Sequence, residues 1–267
     1  MTGTHRPAAT IWAARALIVV AVLALWEFVP KIESLQDVSP LFDSFFVSSP
    51  SMIWERIVDL MLGRNGQPSV WPYLWKTVLA TFLGLAIGTV LGAAMGLLLS
   101  NNETTQRIVS PFIAVVNATP RVALIPIFVI IAGPTLTTSV LTAVVIVVFI
   151  VFYNAYAGGA SVPAEVVQNA KLLGATPREV MRRVRLPYVL VWTFTSLPNA
   201  ISFGLVAVVT AEILMGRIGM GRLLADSLSN VDATLTFAVV VMLSIFGVVI
   251  VTLSQAVERR ALHWWRP

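Results

Sequence analysis

The fold class this sequence predicts is all-α: a polytopic membrane protein with about six transmembrane helices. Three observations predict it. Across 267 residues, 57% are hydrophobic and only 12% charged, a balance too apolar for a soluble domain of that length. The charges are also spaced so as to leave four long uncharged windows, and a charge at the centre of a bilayer costs at least ~2.5 to 3.5 kcal/mol. The basic residues, finally, collect beside those windows rather than forming a stripe on a soluble face. The net charge of +5 therefore argues for membrane orientation and against nucleic acid as a partner.

In chain order, the first span is expected near residues 10–29. A short basic start (His5, Arg6) before an apolar run is also how a signal peptide begins. No small-x-small cleavage site follows, however, and Arg15, Trp26 and Glu27 read as interface residues around a retained helix. The outer segment 30–73 is too long for a turn, and its stretch 52–62 has apolar residues at helical spacing. Such a helix either caps the outer mouth or rests among lipid headgroups. Between Lys76 and Glu103, and again between Arg185 and Glu212, lie 26 uncharged residues. Each window is ~39 Å of helix against a ~30 Å core, which makes one tilted span near 76–99 and another near 188–212. The 25 uncharged residues between Asp232 and Glu258 place a span near 234–256. The 43 between Arg121 and Glu165 contain Gly133-Pro134 and must turn, so spans are expected near 108–131 and 137–157. Trp71 and Trp75, and Trp264 and Trp265 beside Arg259 and Arg260, mark interfacial belts. Eleven of the 18 Lys and Arg residues then fall on the side that holds both termini, and the positive-inside rule makes that side cytoplasmic.

The segment 161–187 between the fourth and fifth spans carries the densest local signals. Pro163 suits a first helical turn and Gly174 a left-handed stop. Thr176 suits an N-cap, Pro177 the first position after it, and Glu179 completes a capping box. Two short helices are expected, with Arg182, Arg183 and Arg185 at the negative end of the second and Pro187 as its exit into the fifth span. Gly84, Gly88, Gly92 and Gly96, spaced by four, share one face of the second span; close helix packing is the default, a pore-lining face the alternative. Pro120, Pro126 and Pro198 are expected to interrupt spans.

The spacing of 161–187 resembles the coupling loop of ATP-binding-cassette (ABC) importer permeases, whose pattern is Glu-Ala-Ala, three residues, Gly, nine residues, Ile-x-Leu-Pro. Gln168, Asn169 and Ala170 take the first places, Gly174 the glycine, and Val184, Leu186 and Pro187 the close. Gln168 and Asn169 depart from the pattern, which removes the family carboxylate. Pro120-Arg-Val-Ala-Leu-Ile-Pro126, Ala211-Glu212 and Gly219-Met-Gly221-Arg-Leu223 further resemble the nitrate/sulfonate/taurine branch of these permeases. The resemblance implies a single permease domain over 1–267 (core 70–260) with the type I ABC importer fold and a cytoplasmic coupling helix. It implies an ATPase-coupling surface of Gln168, Asn169, Ala170, Gly174, Ala175, Thr176, Arg178, Leu186 and Pro187. Its implied partners are an ABC ATPase dimer carrying ATP and Mg, an extracytoplasmic substrate-binding protein, a second permease copy (homodimer) and membrane lipid.

On that basis Pro120, Arg121, Pro126, Asn199 and Glu212 are candidates for the translocation pathway, and Gly219 and Gly221 for a gate. Two readings of Arg121 stay open: a counter-charge for an anionic solute, or a boundary residue in a broken third helix. Two also stay open for Glu212: gate support or interface anchoring. The substrate expected is a nitrate-, sulfonate- or taurine-type solute, with a vitamin precursor such as a pyrimidine as the alternative. A membrane enzyme would need convergent His, Asp or Glu residues, and His5 and His263 are isolated. No phosphate-binding Gly-x4-Gly-Lys-Ser/Thr loop occurs, and with no cysteine there is no thiolate chemistry, so neither catalysis nor a cofactor or metal is expected in this chain. A stand-alone carrier is the remaining alternative, but no internal repeat is evident.

Overall fold

The structure is a computed structural model and describes residues 8–32, 43–100 and 103–263; the readings at His5, Arg6, Trp264 and Trp265 lie outside them. Among the described residues every regular element is helical: α1 (Ala8–Phe28), α2 (Ser44–Val47), α3 (Pro50–Leu62), α4 (Trp71–Leu99), α5 (Glu103–Ala118), α6 (Ile125–Ala132), α7 (Leu136–Ala160), α8 (Ala164–Leu172), α9 (Pro177–Val180), α10 (Leu186–Met215), α11 (Gly219–Ser229) and α12 (Ala233–Ala261). Among the described residues, five helical stretches are long and apolar enough to cross a membrane: Thr10–Lys31, Trp71–Leu99, Leu136–Ala160, Pro177–Met215 and Ala233–Ala261.

The expected third span is not one helix. α5 has 16 residues and α6 has 8, or ~24 Å and ~12 Å of rise, and neither alone spans a ~30 Å core. Pro120 breaks them apart. It has no N–H to donate, it pushes the preceding residue out of the helical region, and it is itself extended at φ −72°, ψ 94°. A tight 3-10 turn, Arg121–Leu124, follows it, and Pro126 then sits in the first turn of α6, where its missing donor costs nothing. Pro198, by contrast, does not interrupt its span: α10 runs through it.

The chain divides into two compact units. One takes in the residues up to Val70 together with Leu223–Met242. Here the stretch 52–62, expected to be helical, does form a helix: α3 starts on the Ser49 N-cap with Pro50 next to it and stops at Gly63, which is left-handed at φ 62°. Polar contacts tie this unit together. Glu27 accepts from the Ser51 N–H at 2.9 Å, the Ser48 hydroxyl meets Thr234 at 2.9 Å, and Arg56 pairs with Asp232 at 2.8 Å. Asp232 also accepts from the Leu235 N–H at 2.9 Å and so caps α12. The residue before it, Val231, ends α11 in a Schellman motif, in which Asp232 N–H bonds Ser227 O (2.9 Å) and Val231 N–H bonds Leu228 O (3.4 Å). That position favours glycine, yet Val231 holds φ 53° while half its surface is exposed. Val231→Gly is therefore expected to raise stability by about 0.5 to 1 kcal/mol, net of glycine's larger unfolded-state entropy. A melting temperature in detergent that stays put or falls contradicts this.

The other unit is Trp71–Arg222 with the chain from Leu243 onward, and its core is the packing of α4, α7 and α10. The contact faces are built from small side chains, with Ala80, Ala143 and Val208 buried together, as are Val147, Val151 and Ala200. Small residues let helix backbones approach, which is how membrane helices gain packing energy when lipid already satisfies their apolar surface. Ile125 of α6 joins Ala211 and Met215 of α10 in a third cluster.

Candidate functional site

The segment 161–187 forms a helical elbow. α8 closes with a Schellman motif: Ala175 N–H bonds Ala170 O and Gly174 N–H bonds Lys171 O, both at 3.0 Å, with Gly174 at φ 86°. The chain then enters α9 through a full capping box. Thr176 Oγ1 accepts from Glu179 N–H at 3.3 Å, and Glu179 Oε2 accepts from Thr176 N–H at 2.9 Å. Gly174, Ala175 and Ala170 line a cleft of about 260 Å³ with Glu179 and Val184. Gln168, Asn169, Thr176 and Arg178 are exposed on the elbow, whereas Leu186 and Pro187 are half-buried at its base.

Two expectations need correcting here. The second helix does not end at Pro187: α9 continues through a π-helical turn, Met181–Arg185, into α10. The π-turn absorbs the proline, because Leu186 N–H bonds five residues back to Met181 O and the helix re-registers just ahead of the missing donor. The three arginines consequently stand at no helix end of their own. The continuous helix Pro177–Met215 has 39 residues, or ~58 Å of rise, so one end extends beyond a ~30 Å core. Sequence reasoning also passed over the tip of the elbow. Leu172 and Leu173 are 84% and 89% exposed, two adjacent leucines presented to water by the end of α8.

A second site lies at the end of α10. Glu212 is fully buried, and its carboxylate faces Thr77 of α4, whose hydroxyl lies 2.9 and 2.8 Å from the two oxygens. Gly221 N–H donates to Glu212 Oε2 at 3.0 Å, and Met220 N–H donates to Thr77 Oγ1 at 2.8 Å. A carboxylate at the first turn of α11 also suits that helix's dipole. Both glycines are needed. A Cβ at Gly219 would collide with the Glu212 carboxylate, and one at Gly221 would lie 2.6 Å from Val209 O and 2.8 Å from Ile213 N. The geometry therefore makes Glu212 an internal tie between α4, α10 and α11, and leaves no interface-anchoring role for it. Thr77 was missed because a threonine in an apolar window, one of three there with Thr81 and Thr89, carries no local signal. Thr77→Val, which keeps the shape and removes the hydroxyl, is expected to cost about 2 to 3 kcal/mol by leaving Glu212 Oε1 and the Met220 N–H without that partner, while the Gly221 N–H still holds Oε2. Thr81→Val is the control: its hydroxyl only back-bonds Thr77 O, four residues earlier in the same helix, and the change should cost well under half as much. Equal melting shifts for the two variants contradict the tie.

The remaining candidates do not join this cluster. Arg121 sits in the turn between α5 and α6 with its guanidinium 5.3 Å from the Phe149 ring centroid. Pro120, Pro126 and Asn199 are exposed. The glycine face of α4 is occupied by α7: a Cβ at Gly88 would lie 2.7 Å from Val147, and one at Gly92 would lie 2.7 Å from Val148 O.

The profile of the family described as "binding-protein-dependent transport system inner membrane component" matches residues 68–263. The riboflavin transport system permease protein of Chloroflexus aurantiacus is 26% identical over 159 residues, 60% of this chain and 59% of that protein, so the match spans about three-fifths of the relative's length. The taurine transport system permease protein of Escherichia coli is 24% identical over 235 residues, 87% of this chain and 84% of that protein. The formylaminopyrimidine transport permease protein of Halalkalibacterium halodurans is 27% identical over 168 residues, covering 63% of this chain and 67% of the relative. Among solved structures, an inward-facing methionine ABC transporter superimposes with a TM-score of 0.56 over 82% of this chain and 100% of its own, at 20% identity, a likeness of fold.

Proposed function

The chain belongs to the family of binding-protein-dependent transport system inner membrane components, and from that premise we propose that it is the membrane-spanning permease of an ABC importer. The observation that carries the reading is the elbow, a rigid, doubly capped turn that is continuous with a membrane-spanning helix and tipped by Leu172 and Leu173. In this reading the tip seats in a cleft of a separate ATPase, which supplies ATP hydrolysis. Gln168, Asn169, Ala170, Gly174, Ala175, Thr176 and Arg178 surround the contact, and Leu186 and Pro187 lie at its root. Closure of two ATPases draws two elbows together and rocks the helices between inward-open and outward-open states, a rigid-body two-state change.

The finer assignments belong to the same proposal. Both termini and the elbow face the cytoplasm, as the distribution of Lys and Arg favours. The complex contains two copies of this chain, and a binding protein delivers the solute from outside. Pro120, Arg121, Pro126 and Asn199 line the pathway, and Glu212 holds the Gly219–Gly221 turn as part of the outer gate. The solute is small and of the nitrate, sulfonate or taurine type. The similarity to permeases named for riboflavin and for formylaminopyrimidine keeps a vitamin precursor as the second reading. The test is purification of the tagged chain in mild detergent. A stoichiometric, Walker-motif ATPase that turns over ATP in the purified complex supports the proposal; a chain that transports its solute with no ATPase bound overturns it.

A further inference from the structure

Resting on the importer reading above, we infer that Arg185 is a positioning residue that couples the elbow to the membrane core by clasping the carboxyl ends of two other helices at once. Its Nη1 donates to Ser100 O, just beyond the end of α4, and lies 3.4 Å from Gly159 O in the last turn of α7. The final carbonyls of a helix have no partner within it and carry the negative end of its dipole, so a cation there is held by both helices. The three elements meet at one point. A Cβ on Gly159 would run into the Ser100 side chain and lie 3.2 Å from Val189 of α10, so only glycine lets α4, α7 and the base of α10 close around the guanidinium.

The position of Arg185 in the chain gives the clasp its consequence. It is the last residue of the π-turn, the segment through which any displacement of the elbow reaches α10. The π-turn interrupts the regular hydrogen-bond ladder between the elbow and α10, the kind of local irregularity that helices carry at functional sites. Arg185 closes that turn on its α10 side and ties it to α4 and α7, so motion that crosses the turn is delivered to all three helices that form the core rather than to α10 alone. The importer family pattern asks for no particular residue here: Arg185 fills the unspecified place between Val184 and Leu186.

The test uses the assembled complex of chain and ATPase in nanodiscs, with the binding protein purified from native cells with its ligand in place. Two rates are read, basal ATP hydrolysis and hydrolysis with the binding protein added. Arg185→Met keeps the stem and removes both hydrogen bonds. It is expected to copurify with the ATPase and hold the basal rate, while stimulation by the binding protein falls about tenfold. Arg185→Lys, which returns a cation to the same carbonyls, is expected to restore most of the stimulation. Misfolding would lower the basal rate and the yield together, so the split between the two rates separates coupling from structure. Full stimulation of Arg185→Met overturns the inference. If that variant does not assemble, Arg185→Gln is read in the same way, and full stimulation there overturns it. A wild-type complex that assembles and is not stimulated overturns the importer reading beneath it.

Discussion

Replacing Leu172 and Leu173 together by lysine is expected to strip the ATPase from the chain while leaving the chain folded. Both side chains are more than four-fifths exposed, so neither contributes to the core, and lysine suits the carboxyl end of α8 through propensity and dipole. If the pair is buried in a cleft of the ATPase, each leucine contributes roughly 1.5 to 3 kcal/mol of transfer free energy. Losing both then lowers affinity roughly 100-fold or more. The measurement is ATPase retained on the tagged chain through a salt wash, beside the chain's melting temperature. Loss of ATPase with an unchanged melt is the expected outcome. Full retention would move the docking surface off the elbow tip.

The second large effect is on folding itself. Gly92→Leu should prevent α4 and α7 from packing, because even its Cβ would lie 2.7 Å from Val148 O and 2.9 Å from Phe152 N. Those are backbone atoms of α7 and cannot rotate aside, so the helices must separate or re-register. Overpacking of this kind costs ~1 to 3 kcal/mol where side chains give way, and backbone contact places this case at or above the top of that range. Ala94→Leu on the exposed side of the same helix is the control and should be nearly neutral. Comparable yields of monodisperse protein for the two variants in detergent would contradict the packing described.

How much of this was legible beforehand depends on how local the physics is. The elbow was legible because capping boxes, left-handed glycines and first-turn prolines act within four or five residues. The glycine face of α4 was legible because helical periodicity places it, and the long spans were legible because a bilayer tolerates few charges. What escaped was either a competition or a distant contact. Pro120 and Pro187 carry the same missing N–H, yet one breaks a helix and the other is absorbed by a π-turn, and that difference is decided by packing. The ties from Thr77 to Glu212 and from Arg185 to Ser100 and Gly159 join residues far apart in sequence, so their donors looked like an unremarkable threonine and one of three clustered arginines.

ATP hydrolysis by the wild-type chain–ATPase complex in nanodiscs, with and without the loaded binding protein, bears most directly on whether this chain is an importer permease. A several-fold rise in rate that requires the binding protein and is abolished by the Leu172/Leu173 lysine variant is predicted. A rate indifferent to the binding protein, in a complex where chain and ATPase are both intact and bound, would contradict it.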